Sequence, residues 1–174
     1  MAAWTHIAHD SLSLPASSVT WSGIPALYDH LYLVASARSD TSVYIDFCQF
    51  EFNTDTTGSN YSTTWLDAST TTPTSNRATT YAHGGFVPDA SSTASTFGAT
   101  TLWIPNYANT TNFKQSILSS AVTGNTITNN QWVQMLAANL WHSTAAINEV
   151  KWFTSGGDNF VQYSTFTLYG VTGA

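Results

Sequence analysis

The sequence predicts an all-β fold, an antiparallel β-sandwich or jelly roll of roughly eight to ten strands. Three observations predict it. Apolar residues recur with a period of two, not 3.6. Short runs rich in Val, Ile, Thr and aromatic residues alternate with Gly-, Pro-, Asn- and Asp-containing turns about every ten residues. A chain of 174 residues with 43% hydrophobic content can build one substantial core. The domain reading is a single sandwich over 13–174, preceded by residues 1–12 as an N-terminal arm or first edge strand.

The elements follow in order. SVTW (18–21) is the first short candidate. DHLYLVASA (29–37) places Leu31, Leu33, Ala35 and Ala37 on one face and Tyr32, Val34 and Ser36 on the other. VYIDFCQFEF (43–52) is apolar at nearly every position, the pattern of a central strand covered on both sides. NYSTTWL (60–66), RATTYAH (77–83), TFGATTLWI (96–104) and NFKQSILSS (112–120) come next. QWVQMLAANLW holds good helix formers but no amphipathic stripe of useful length, so a strand is expected over 132–141. INEVKWF (147–153) and STFTLYGV (164–171) complete the set. Turns are expected at 22–25, 56–60, 71–76, 83–85, 87–92, 104–112, 123–125 and 155–159. The Ser/Thr-rich stretch 68–80 reads as the most loop-like segment.

Charged residues make up only 8% of the chain, and 49 serines and threonines take their place. A surface solubilised by hydroxyls and amides is readily covered by a neighbour, because little charge must be desolvated. The net charge is −6 and the four cations, Arg38, Arg77, Lys114 and Lys151, are dispersed. That argues against nucleic acid, which is held by clustered Lys and Arg, and against a polybasic membrane patch. No apolar run approaches the ~20 residues of a membrane-spanning helix. The N-terminal MAAWTHIAHD lacks a basic region and an apolar core, so no secretory signal is expected. The single cysteine, Cys48, forms no intrachain disulfide and reads as a small buried residue.

Four constellations bear on possible chemistry. His6, His9 and Asp10 have zinc-like spacing, but on a strand the odd interval sends the two histidines to opposite faces. In FEFNTDTTGSNYS, Asn53, Asp55, Thr57 and Gly58 match the opening of a calcium loop, yet Thr64 stands where a bidentate Glu belongs. A hairpin loop is the expected reading of 53–64, with a weak calcium ion as the alternative. Asp46 and Glu51 are five apart and face opposite ways on a regular strand, so no glycosidase pair stands out. No nucleophile elbow, phosphate-binding loop or zinc-protease motif occurs, and the scattered histidines suggest no triad. No cofactor, metal or catalytic residue is therefore assigned. The aromatic content, 7 Trp, 8 Tyr and 9 Phe, is the remaining signal. Trp4 and His6 are candidates for contact with another subunit. Trp65, Trp103 and Trp141, near strand ends, are candidates for glycan-facing stacking.

Several phrases carry a family resemblance. LPASSVTWSGIPALYDHLYLVASARS (14–39), the F-N-x-D-x-x-G-S-N-Y loop (52–61), FGATTLWIPNYANTT (97–111), LWHSTAAINEVKWF (140–153) and FVQYSTFTLYGV (160–171) appear in order along nearly the whole chain. Together they resemble small virion proteins of tailed bacteriophages, especially aquatic and cyanobacterial phages. The resemblance implies a β-sandwich with a structural or adhesive role, commonly a homotrimer, with no catalytic residues to transfer. It implies synthesis in the host bacterial cytoplasm and a place on the virion surface. The expected partners are copies of itself and the major capsid protein, as a decoration or cement protein, or else a tail or fibre protein with host surface polysaccharide, as a fibre head. A small depolymerase and a non-viral carbohydrate-binding module are the further readings.

Overall fold

The computed structural model describes residues 3–43, 45–69, 72–124 and 132–173. Met1 and Ala2 of the expected arm, Tyr44 of the expected strand 43–52, Thr70 and Thr71 of the loop-like stretch, and Asn125 of the expected turn lie outside them. Two antiparallel sheets pack as a sandwich. Sheet one has eight strands in the order β1 (Ala3–Ser11), β12 (Thr165–Thr172), β3 (His30–Ala37), β8 (Gly98–Pro105), β9 (Lys114–Thr123), β10 (Trp132–Trp141), β5 (Tyr61–Ala68), β6 (Thr74–Ala78). Sheet two has four, in the order β2 (Ser18–Ser22), β11 (Glu149–Thr154), β4 (Ile45–Phe52), β7 (Ala82–Pro88).

The period-two pattern becomes the core directly. Leu31, Leu33, Ala35 and Ala37 of β3 are buried beside Leu102 and Ile104 of β8, Leu118 of β9 and Met135 and Ala137 of β10. Across the gap lie Val19 and Trp21 of β2, Cys48, Phe50 and Phe52 of β4, and Val150 and Trp152 of β11. Rings bridge the layers: Trp152 and Phe166 are 5.9 Å apart, and Phe52 and Trp141 are 5.5 Å apart. The segment 132–141 is a strand with strictly alternating Val133, Met135, Ala137, Asn139 and Trp141 inside.

Several expectations are corrected. There are twelve strands among the described residues, not eight to ten. Strand β1 occupies the predicted arm or edge-strand segment and pairs with β12. The run 77–83 is not one strand: β6 ends at Ala78, and β7 begins at Ala82 in the other sheet. The loop-like stretch 68–80 contains β6. HGG (83–85) is not a turn but a bulge inside β7, where Gly84 is the extra residue between the pairs Cys48–Gly85 and Gln49–His83. Only glycine fits there. A Cβ on Gly84 would stand 2.8 Å from the Gln49 nitrogen, and Gly85 has φ +93°. β4 has two strand neighbours but is covered on one face only; Phe47 and Gln49 are half-exposed.

The bulge lets β7 close onto the larger sheet through buried polar clips. Asn139 Oδ1 accepts the His83 N–H at 2.8 Å, and Ser120 Oγ accepts the Phe86 N–H at 3.0 Å. His83, Phe47, Tyr81, Phe86 and Trp65 then form an aromatic cluster that seals this side of the sandwich, with Phe47 and His83 only 4.3 Å apart. The opposite side, between edge strands β1 and β2, is open as a cleft of about 520 Å³ lined by His6, Ile7, Trp21, Ile24 and Tyr28.

Candidate interaction face

The inner face of the eight-stranded sheet belongs to the core, and its outer face is the solvent side of the larger of the two sheets. Strand register decides what it displays. His6 pairs with Tyr169, Tyr169 with Tyr32, Tyr32 with Trp103, and Trp103 with Ile117. Ile117 pairs with Ala138, Ala138 with Thr64, and Thr64 with Arg77. One unbroken cross-strand row therefore crosses all eight strands. The next row runs His9, Thr167, Val34, Thr101, Ser119, Leu136, Leu66, Ser75. Such in-register neighbours have Cβ atoms about 5 Å apart and act as one surface.

The face has two halves. Over β1, β12, β3 and β8 it is aromatic. Trp4 stands edge-on to Tyr32 at 5.0 Å and to Tyr169 at 6.0 Å, His30 lies 4.9 Å from Trp103, and Tyr32 lies 6.0 Å from Trp103. Over β9, β10 and β5 it is aliphatic: Ile117, Leu136 and Leu66 are 56%, 53% and 57% exposed. Two shallow depressions lie between them, of about 270 and 310 Å³. Neither row contains a carboxylate, and Arg77 at the far end is their one full charge. The net charge of −6 thus resides elsewhere on the molecule.

The structure separates the residues singled out from sequence. Trp4 and His6 both stand exposed on the aromatic half of this face. Trp103 joins them. Trp65 does not: it points inward, packs on His83 at 5.1 Å and donates its Nε1 proton to Asp67 at 2.9 Å. Trp141 leaves the glycan-facing set, because it is 3% exposed, inside the core, and bonded to Asp55. Tyr32, Tyr169, Ile117, Leu136 and Leu66 were not singled out. Their signal was the solvent half of each alternating strand, which looks ordinary until register aligns it.

The histidine expectation is corrected too. A bulge between His6 and Ala8 inserts one residue into β1. His6 and His9 therefore share the outer face, paired with Tyr169 and Thr167, instead of facing opposite ways. His9 Nδ1 is bonded to Thr167 Oγ1 at 2.8 Å. Among the described residues, no three His, Cys, Asp or Glu side chains gather as a metal-binding group.

The stretch 53–64 is not a hairpin loop, because it carries the chain from β4 in one sheet to β5 in the other. Asn53 and Thr54 adopt φ of 53° and 58° in a tight turn closed by the Asp55 N–H on Phe52 C=O. Asp55 then collects donors: Thr57 N–H at 3.0 Å, Asn60 Nδ2 at 2.9 Å and Trp141 Nε1 at 2.8 Å. Burial alone would raise its carboxyl, but these hydrogen bonds outweigh that and hold it below the ordinary carboxylate value. Asn53 Oδ1 likewise accepts the Asn148 and Glu149 N–H groups. Asn53 Oδ1 and both Asp55 carboxylate oxygens are thus engaged by N–H donors, and the calcium reading has no support in this geometry. Cys48 is wholly buried; burial pushes its thiol well up, with Asp46 adding to the effect.

No protein-family model matches the chain, and no curated protein matches it. Among solved structures, the crystal structure of galectin LEC-6 from Caenorhabditis elegans is similar at 7% identity and a TM-score of 0.32, covering 95% of this chain and 96% of that one.

Proposed function

We propose that this chain is a non-enzymatic virion surface protein of a tailed bacteriophage, a capsid decoration protein that acts by burying the outer face of its eight-stranded sheet against neighbouring subunits. The observation that carries the mode of action is the pair of in-register rows, His6 to Arg77 and His9 to Ser75, which hold no carboxylate and include the exposed Ile117, Leu136 and Leu66. A contiguous patch of this kind marks an interaction site. The phage setting is supported by the sequence phrases quoted above. Burying apolar area stabilises by about 25 cal/mol per Å², much of it offset by the cost of association, so a single contact is modest. Repetition over a symmetric shell turns modest contacts into avidity.

A second reading is favoured by the aromatic half alone. Trp103, Tyr32 and His30 offer adjacent rings and ring nitrogens, the chemistry that stacks on and bonds to sugars, as in a fibre head touching host polysaccharide. Copy number in purified particles tests the proposal. Hundreds of copies per particle are expected on the decoration reading; a few copies at the tail would overturn it and favour the fibre head.

A further inference from the structure

We infer that the partner of the outer sheet face is a second copy of this chain, laid face to face so that the aromatic half of each copy covers the aliphatic half of the other. This deepens the reading above and rests on it for its biological setting, but not for its test.

Three features point to a like partner. The first is charge. A chain of net charge −6 repels its own copies, and self-association needs a face from which that charge has been removed. The two rows carry no carboxylate, so pairing opposes no acidic groups. The second is size. Eight strands at about 4.8 Å spacing and some six residues at about 3.3 Å rise give a face of roughly 750 Å². That is close to the roughly 800 Å² that each partner contributes to a standard stable interface.

The third is the order of the strands. The face divides at its middle, between β8 and β9. A two-fold axis along the strands at that line places β8 over β9 of the second copy, β3 over β10, β12 over β5 and β1 over β6. Trp103 then covers Ile117, and Tyr32 covers the shallow depression between Ile117, Leu136, Leu66 and Ala138. Tyr169 covers Thr64 and Leu66, and Trp4 and His6 meet Arg77, an arrangement that suits a cation over an indole. Among the described residues Arg77 has no partner within its own chain, whereas Arg38, Lys114 and Lys151 all do. Raised rings thus meet hollows twice over, once on each side of the axis, as an isologous contact requires. Such a dimer combines with a three-fold ring built on another surface in D3 symmetry.

Sedimentation equilibrium of the purified chain tests this. The wild type is expected to associate at micromolar concentration as dimers or dimer-based hexamers. The double variant Ile117→Ser with Leu136→Ser, and the double variant Tyr32→Ala with Trp103→Ala, should each weaken pairing by about 100-fold while keeping the wild-type circular dichroism. Mixing the two is the decisive arm. The aliphatic half of one variant then meets the intact aromatic half of the other, so the mixed pair should bind at least about 10-fold more tightly than either variant binds itself. A wild type that stays monomeric at about 100 µM, a trimer indifferent to all four substitutions, or a mixture no tighter than its components would each overturn the inference. Copy number on the particle is independent of these outcomes: a monomeric chain found in hundreds of copies keeps the decoration reading and loses the pairing, and a paired chain absent from the capsid does the reverse.

Discussion

Trp141 Nε1 donates a hydrogen bond to Asp55 Oδ2 at 2.8 Å, joining the end of β10 to a loop 86 residues earlier in the chain. The loop carries the chain from one sheet to the other, and this bond fixes where it lands. Asp55→Ala leaves the buried indole N–H without a partner and also releases the Asn60 amide. It should cost about 2–3 kcal/mol, read by urea unfolding. Asp55 is held below the ordinary carboxylate value, so its contribution is present above that value and lost as pH falls through its lower folded value. Chelator and millimolar calcium should leave the unfolding midpoint of the wild type unchanged. A chelator-induced fall that Asp55→Ala abolishes would restore the calcium reading.

His83 is fully buried, its Nδ1 accepts the Gly85 N–H at 3.0 Å, and its Nε2 faces aromatic rings with no hydrogen-bond partner. Burial lowers its pKa to about 3. The unfolded chain takes up this proton near pH 6.5 and the folded chain does not, so stability falls as pH drops from about 6.5 toward 3, by as much as about 1.4 kcal/mol per pH unit from this group. His83→Asn should flatten that slope by one proton. An unchanged slope would mean that the ring ionises in place.

Asp46 predicts the opposite sign. It is 5% exposed, its Oδ1 accepts the Phe47 N–H at 2.7 Å, and its Oδ2 has no partner. Burial raises its pKa first, with Asp158 and Asp89 adding to it and hydrogen bonds opposing. A raised carboxyl contributes stability below its unfolded pKa and loses it as pH rises through the folded one. At pH 7 Asp46→Asn should therefore stabilise, on the order of 1 kcal/mol, by removing a buried charge. A destabilised variant at pH 7 would contradict this.

Arg38 holds the loop after β7. Its guanidinium donates to Thr93 C=O at 2.8 Å, Thr96 C=O at 3.0 Å and Ser92 C=O at 3.1 Å. A lysine cannot reproduce that fork. Arg38→Lys should accelerate amide exchange across 92–98 at least about tenfold while leaving β9 and β10 protected. Equal exchange in both proteins would show that the loop needs no staple.

How much of this was legible depends on which physical signal carried it. β3 and β10 could be read because each alternates without interruption, so the buried set follows from counting by two. β1 is harder to read, since its bulge reverses the alternation at Ile7 and leaves the segment open as an arm or a first edge strand. The run 77–83 failed for a related reason: β-formers on both sides of Thr79 and Thr80 hide a switch between sheets. Glycines 84 and 85 read as a turn because a bulge and a turn ask for the same backbone freedom. Trp141 near a strand end suggested exposure, but Asp55, far away in sequence, gives its N–H a buried partner. Lys114, at 2% exposure with its ammonium on the carbonyls of Asn112 and Thr144, is a cation whose burial its own local sequence does not signal. The outer face was the least legible feature. Trp103 stands out by residue type alone, but Tyr169, Tyr32 and Ile117 are ordinary solvent-side positions on separate strands, and only cross-strand register makes them a row.

The most direct test of the account is hydroxyl-radical footprinting of this face in the free chain at high dilution and in the assembled particle. Trp4, Tyr32, Trp103, Ile117 and Leu136 should be oxidised in the dilute chain and protected at least about fivefold on assembly, with Tyr163, which lies off this face and is 70% exposed, unchanged. Equal oxidation of the five in both states would show that the face stays open to water and would contradict the account.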